Sequence, residues 1–119
     1  MKPLYWIASS KKDLKSFPER VQDVMGRSLL DVQFGDTPDH TYPLRGFGGA
    51  GVLEIIEDHD GHTYRCVYTV KFSGAVYVLH SFQKKSKRGR ETPRHDIELI
   101  RERLAAAEVD YRRRRGELN

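Results

Sequence analysis

The sequence has little that could cross-link it. Its 119 residues hold one cysteine, Cys66, which excludes an internal disulfide framework and any zinc site built on several thiolates. Cys66 sits in an apolar run, so a reduced, buried thiol is expected, in keeping with the cytoplasm. No apolar stretch approaches the ~20 residues of a membrane span. The N-terminus "MKPLYWIASSKKDLKS" lacks a signal-peptide core, so no membrane partner is expected. The five histidines are scattered rather than grouped at ligand spacing, so no metal is expected. No G-x-S-x-G elbow and no Walker pattern occur, which removes a common hydrolase nucleophile and a common nucleotide cradle. One G-x-G-x-x-G match, "GFGGAG" at 46–51, lies between a loop and a strand-like run. A dinucleotide site needs a strand before the glycines and a helix after them. No cofactor is therefore expected, and the glycines are read as letting a loop turn tightly or letting its backbone approach a bulky partner.

What the chain does have is positive charge in one place. Lysine and arginine number 21 against 17 acids, a net +4. Within "LHSFQKKSKRGRETPRHD" (79–96), the six cations Lys84, Lys85, Lys87, Arg88, Arg90 and Arg94 enclose a single acid, Glu91. Such a run is either a solvated loop or a surface for a polyanion. A second run, "RRRR", occupies 112–115. There, cations complement a helix dipole as readily as they bind nucleic acid. The length suits one domain, 1–119, with a basic tail from about 110 to 119.

The pattern predicts α+β. "PLYWIA" (3–8) reads as a strand. Ser10 with Asp13, and Ser16 with Glu19, resemble capping boxes for a short helix and for a second helix over 17–33. Val21, Val24, Met25, Leu29 and Val32 form one apolar stripe on that second helix. Residues 35–51 read as a long loop. Three strands then follow, over 52–58, 63–72 and 75–82, joined through Asp60-Gly61 and Ser73-Gly74. The last is the most apolar and is expected to be central. Thr92-Pro93 caps a final helix whose Ile97, Ile100, Leu104, Ala107 and Tyr111 keep helical spacing. The order β-α-α-β-β-β-α implies a small antiparallel or mixed sheet of about four strands, packed against N-terminal helices and a C-terminal helix.

On that frame Arg65 lies in a strand interior, where a charge either snorkels, pairs with an acid or serves a ligand, with Lys71 on the same face. His80 is placed on the last strand beside Val76, Val78 and Phe82, where a hydrogen-bonded core imidazole is expected. His95 lies in the first turn of the last helix. A sheet face carrying Arg65, overhung by a basic loop and a histidine, suits cleavage of an RNA phosphodiester. That reaction needs a base for the 2′-OH, cations around the developing phosphorane and an acid for the leaving 5′-oxygen. Crowded cations lower the proton affinity of a lysine, which lets it serve as base without a metal. The competing reading is a docking surface for an acidic protein.

Several segments carry a family resemblance: "YRCVYTV", "VYVLHSFQKKSKRG", "ETPRHDIELIRERLAAAE", "SFPERVQDVMGRSLLDVQFG" and "GFGGAGVLEIIED". Over residues 3–109 they resemble the HigB-like, phage-derived branch of the RelE/ParE toxin superfamily. The resemblance implies the toxin of a type II toxin–antitoxin pair, commonly a ribosome-dependent, metal-independent mRNA endonuclease. Its implied partners are a small antitoxin, often a helix-turn-helix protein, together with mRNA and the ribosome. It implies Arg65 near the scissile phosphate, Lys84, Lys85, Lys87 and Arg88 as further functional cations, and a His, Lys or Tyr for proton transfer, with His95, a lysine, or a tyrosine such as Tyr64, Tyr68 or Tyr111 as the candidates. Lys71, Arg90, Arg94, Arg112 and Arg113 complete the expected RNA-binding set. One departure stands out: many relatives carry an arginine where this chain has Ile56, two residues after Glu54. The superfamily also includes ParE-like proteins that inhibit DNA gyrase, so a non-enzymatic toxin or a non-catalytic RNA binder is the alternative.

Overall fold

The computed structural model describes residues 1–49, 51–84 and 91–117. The fold is α+β, with eight elements in the order β1 (Leu4–Trp6), α1 (Ser10–Lys15), α2 (Glu19–Gln33), β2 (Thr41–Pro43), β3 (Val52–His59), β4 (His62–Thr69), β5 (Val76–Lys84) and α3 (Arg94–Arg114). The strands form one mixed sheet in the order β1-β5-β4-β3-β2. β3, β4 and β5 make the expected antiparallel meander, and β1 joins β5 in parallel. The loop expected over 35–51 contains β2, which pairs with β3 and makes five strands rather than four. Three residues are too few for alternation to mark a strand in a polar, proline-containing stretch. β4, not β5, holds the centre.

Local chemistry accounts for the elements. Asp60 and Gly61 both have positive φ, 50° and 77°, as a two-residue type I′ turn requires, and they pair His59 with His62. The α2 stripe buries Val21, Met25, Leu29 and Val32 against Ile55, Tyr64, Cys66, Tyr68, Val76 and Val78. The α3 residues Ile97, Ile100, Leu104, Ala107 and Tyr111 join Val67, Tyr77 and Leu79 on the opposite face. The sheet is thus the middle layer of three. Neither serine-based capping box forms. Pro18 is the N-cap of α2, while the Ser16 hydroxyl donates to the Asp13 carbonyl at 2.6 Å. At α1, Ser9 takes the cap position and Ser10 donates to the Val78 carbonyl at 3.1 Å.

The glycine loop precedes strand β3 directly, so the context of a dinucleotide fingerprint is missing. Gly46 has φ of 91°, and a Cβ there would meet Arg101 Nη2 at 3.2 Å. Arg101 donates to the Gly46 carbonyl at 3.0 Å and lies 4.8 Å over the Phe47 ring, so α3 holds this loop down.

Candidate functional site

The register of β5 decides which side chains share a face. Val67 pairs with His80, but Tyr68 pairs with Val78, so Leu79 is an extra residue in a bulge. Alternation from Val76 and Val78 would send His80, Phe82 and Lys84 toward α1 and α2. The bulge reverses this and puts all three on the α3 side, with Arg65 and Val67. The expected grouping of His80 with Val76 and Val78 is therefore corrected.

On this face Arg65 is 2% exposed and ion-paired through Nη1 with Glu54 Oε1 of β3 at 2.5 Å. The Thr92 hydroxyl donates to Glu54 Oε2 at 2.9 Å and lies 3.5 Å from Arg65 Nη1. Thr92 was expected to cap α3. Pro93 is the N-cap instead, and the hydroxyl ties the helix start to the sheet. Burial raises the proton affinity of the Glu54 carboxyl, and Arg65 and Thr92 pull it back only in part. Lys84 stands opposite Thr63, diagonal to Arg65, and is also buried. Its ammonium is pushed below the ordinary lysine range by lost hydration and then by the Arg65 charge, with Glu54 and Glu91 acting in the other direction.

A second polar cluster lies further along β5. His80 Nε2 is 2.7 Å from Asp96 Oδ1. Arg103 donates to His80 Nδ1 at 3.1 Å, to the Leu79 carbonyl at 3.0 Å and to the Ser9 hydroxyl at 3.2 Å. Nδ1 is thus the acceptor and Nε2–H donates to Asp96. The hydrogen-bonded core imidazole is found. Burial lowers its pKa, Asp96 opposes the shift and Arg103 adds to it. A histidine kept neutral in the folded state binds fewer protons there than when unfolded. Its contribution to stability is therefore complete above the unfolded value of about 6.5 and is lost as pH falls from there toward the folded value. Urea midpoints from pH 7.5 to 5 should fall in the wild type, and less steeply in His80→Phe, once other groups are matched. Parallel slopes would rule this out.

Two adjoining grooves open beside the buried pair. One, about 350 Å³, is lined by His40, Tyr42, Ile56, Glu57, Asp58, Thr63 and Arg65. The other, about 610 Å³, is lined by Tyr42, Pro43, Leu44, Arg45, Glu54, Ile56, Glu91, Thr92 and Ile97. Sequence reasoning gave no site role to Glu54, Thr92, Tyr42 or His40. Glu54 could have been suspected as an acid at an inward position of a strand.

The predicted cations divide between two ends of the molecule. Arg65 and Lys84 share the face just described. Arg94 and His95 lie exposed on the first turn of α3, next to Thr92, and Arg94 pairs with Glu98 at 3.2 Å. Lys71 was expected on the Arg65 face of its strand, but β4 ends at Thr69 and Lys71 is exposed beyond it. Arg112 and Arg113 are exposed at the other end of α3, roughly 30 Å along the helix from Arg94. That end packs at the β4–β5 turn, where the Tyr111 hydroxyl donates to the Ser73 carbonyl at 2.7 Å and the ring stacks on Phe72. Arg114, in the same run, is structural: it bonds Asp110 at 2.7 Å and lies 3.8 Å over the Tyr5 ring. Lys85, Lys87, Arg88 and Arg90 lie outside the described residues. Among the described residues no three His, Cys, Asp or Glu gather as a metal could use them, and no helix is long and apolar enough to cross a membrane.

Residues 12–105 match the family model of the phage-derived protein Gp49-like (DUF891) family. The chain belongs to that family. Gp49-like proteins stand in the RelE/ParE-like toxin context and are associated with toxin-like proteins. The match begins within α1 and ends within α3, so it takes in Glu54, Arg65, Lys84 and Thr92. No curated protein and no solved structure matches the chain.

Proposed function

We propose that this Gp49-like chain is the toxin of a type II toxin–antitoxin pair, of the HigB-like kind, and that it cuts mRNA on the translating ribosome. The observation that carries the reading is Lys84. A buried amine with lowered proton affinity sits on one sheet face with an arginine, at the point where the most basic stretch of the sequence begins. In its neutral form Lys84 takes the proton of a ribose 2′-OH. The 2′-oxygen then bonds to phosphorus, the bond to the 5′-oxygen breaks, and an acid protonates that oxygen. The products are a 2′,3′-cyclic phosphate and a 5′-hydroxyl. His95, exposed at the start of α3, is the candidate acid. Arg65 is bonded to Glu54 and buried, so its part here is to position Glu54 and to tune Lys84. Lys85, Lys87, Arg88, Arg90 and Arg94 serve as contacts to ribosomal or messenger RNA, with affinity that falls steeply with salt. Lys71, Arg112 and Arg113 form a separate patch for RNA at the far end. The inhibitor is an antitoxin, often a helix-turn-helix protein, that covers the same cations in the cytoplasm.

One observation favours a second reading. The internal pairing of Arg65 with Glu54 leaves less charge for a phosphate than an unneutralised arginine would. A non-enzymatic toxin of the gyrase-inhibiting kind, or an RNA binder without catalysis, needs no such charge. Pulse induction in a bacterial host separates these. Rapid mRNA loss with cuts in phase with codons is expected. Intact mRNA with altered DNA supercoiling would favour the gyrase reading, and uncut RNA recovered with the protein would favour the simple binder.

A further inference from the structure

The sheet has two edges, β2 beside the grooves and β1 at the opposite side. β1 has one neighbour, β5, in parallel. The Val76 N–H donates to the Pro3 carbonyl at 3.0 Å, and the Ile7 N–H to the Val78 carbonyl at 2.9 Å. Backbone direction alternates along a strand, so Pro3, Tyr5 and Ile7 face β5 while Leu4 and Trp6 point their N–H and C=O groups outward. Among the described residues no backbone bond reaches Leu4 or Trp6 from that side. The side chains match this openness: Leu4, Tyr5, Trp6 and Ile7 are four large apolar residues in a row, and none is fully buried. At Ala8 a φ of 49° turns the chain out of the strand toward α1, so the open edge is short.

Cations bracket this edge. Leu4 and Trp6 pack on the α2 side of the sheet, Tyr5 and Ile7 on the α3 side. Lys11 lies 6.0 Å over the Trp6 ring, and Arg114 lies 3.8 Å over the Tyr5 ring. Arg114 already has Asp110, whereas Lys2, Lys11 and Lys12 enter none of the ion pairs among the described residues. Asp13, the acid of α1, is held by the Ser9 hydroxyl at 2.7 Å. Lysine beside an edge strand guards it against unwanted pairing. Here the guard acts against a second copy, because two such edges would bring like charges together. It leaves a strand that carries acids as the one this edge accepts. β1 precedes the family match, which begins at residue 12, so the edge is a feature of this chain outside the matched region.

We infer that the β1 edge is a docking site for an acidic, extended segment of a protein partner, which adds to the sheet as a further strand. Main-chain bonds to Leu4 and Trp6 hold the segment, and its acids lie on the Lys11 side. The inference goes beyond the RNA-cleavage reading and does not rest on it. The grooves lie at the other edge of the sheet, so this strand binds without covering them.

The test uses the full chain, isotope-labelled, and a blocked heptapeptide in which glutamate alternates with valine. Amide hydrogen exchange is read residue by residue. Saturating peptide should slow exchange at Leu4 and Trp6 and leave Tyr5 and Ile7, already facing β5, unchanged. A contact made by side chains alone would lack that alternation. The same peptide with lysine in place of glutamate should give no protection. Lys11→Glu should weaken the acidic peptide by roughly 2- to 5-fold, the worth of an exposed ion pair. Unchanged exchange at Leu4 and Trp6 would overturn the inference, as would equal binding of the lysine peptide. Protection that rises with protein concentration in the absence of peptide would also overturn it, and would assign the edge to a second copy. The two peptides are compared on the wild type, so the test stands whatever Lys11→Glu does to folding. Cutting of mRNA is measured separately, and neither its presence nor its absence moves these results.

Discussion

Glu54→Ala is expected to lower the free energy of unfolding by about 3–5 kcal/mol, the cost of taking one partner from a buried ion pair. Both side chains are almost wholly inaccessible, at 2% and 4% exposure. Removing the carboxylate leaves the Arg65 guanidinium in the interior without its counter-charge, and takes from Thr92 the oxygen that ties the start of α3 to the sheet. A loss of that size is a large share of the ~5–15 kcal/mol typical of a domain. Urea denaturation should therefore show a large fall in midpoint with little change in slope. The pair itself is not a strong source of stability. Burial outweighs the pull of Arg65 on the Glu54 proton, so its folded pKa is raised. A carboxyl of that kind favours folding most at low pH, and the advantage is lost as pH rises through the folded value. The double variant Glu54→Leu/Arg65→Met should accordingly recover most of the loss. A single variant within about 1 kcal/mol of wild type would show that the pair is not held as described. There is a practical consequence for genetics. Arg65→Ala leaves the Glu54 carboxylate buried, so relief of growth arrest in that variant reports on folding as much as on catalysis.

Lys84→Arg is the sharper probe of chemistry. Arginine keeps the positive charge but stays protonated at any accessible pH, so it cannot accept the 2′-OH proton. Cutting of ribosome-bound mRNA should fall about 10²- to 10⁴-fold, the usual worth of a positioned base, while ribosome binding stays within a few-fold of wild type. The pH profile gives the sign. The base must be neutral, so the wild-type rate should rise with pH and level off above the folded pKa of Lys84, which burial and Arg65 set below the ordinary lysine range. Lys84→Arg should lose that rise. Thermal unfolding of the variant must be checked alongside, because Lys84 is 7% exposed and the longer side chain needs room. Wild-type rates in the variant, or a pH profile unchanged by the substitution, would remove Lys84 from the proton-transfer role.

Much of the fold could be read from pattern because its long elements carry their own periodicity. The α2 and α3 stripes each pack as one face, and the Asp60-Gly61 turn takes the positive φ values that its composition demands. The short pieces were harder. β2 has three residues and exists because β3 offers an edge, a fact no local window contains. Ser16 and Thr92 look like caps by type and spacing, yet each hydroxyl finds another acceptor once the chain is folded. The site was legible in its cations and not in its acids. Arg65 stood out as a charge in an apolar strand and Lys84 as the head of a basic loop, although Lys84 in fact ends β5, whereas Glu54 read as an ordinary strand residue until β3 paired with β4 and set it opposite Val67.

The sequence by itself determined the types of the long elements, the antiparallel meander, the α+β class and the family likeness, because periodicity, turn residues and motif spacing are local properties. Only the tertiary structure decided which side of the sheet each charge would occupy. A single extra residue at Leu79 turns His80, Phe82 and Lys84 toward α3, and strand register places Glu54 within reach of Arg65. Side-chain direction in a strand has a period of two, so one bulge reverses everything after it. Nothing in the order of residues around Leu79 marks where that reversal falls.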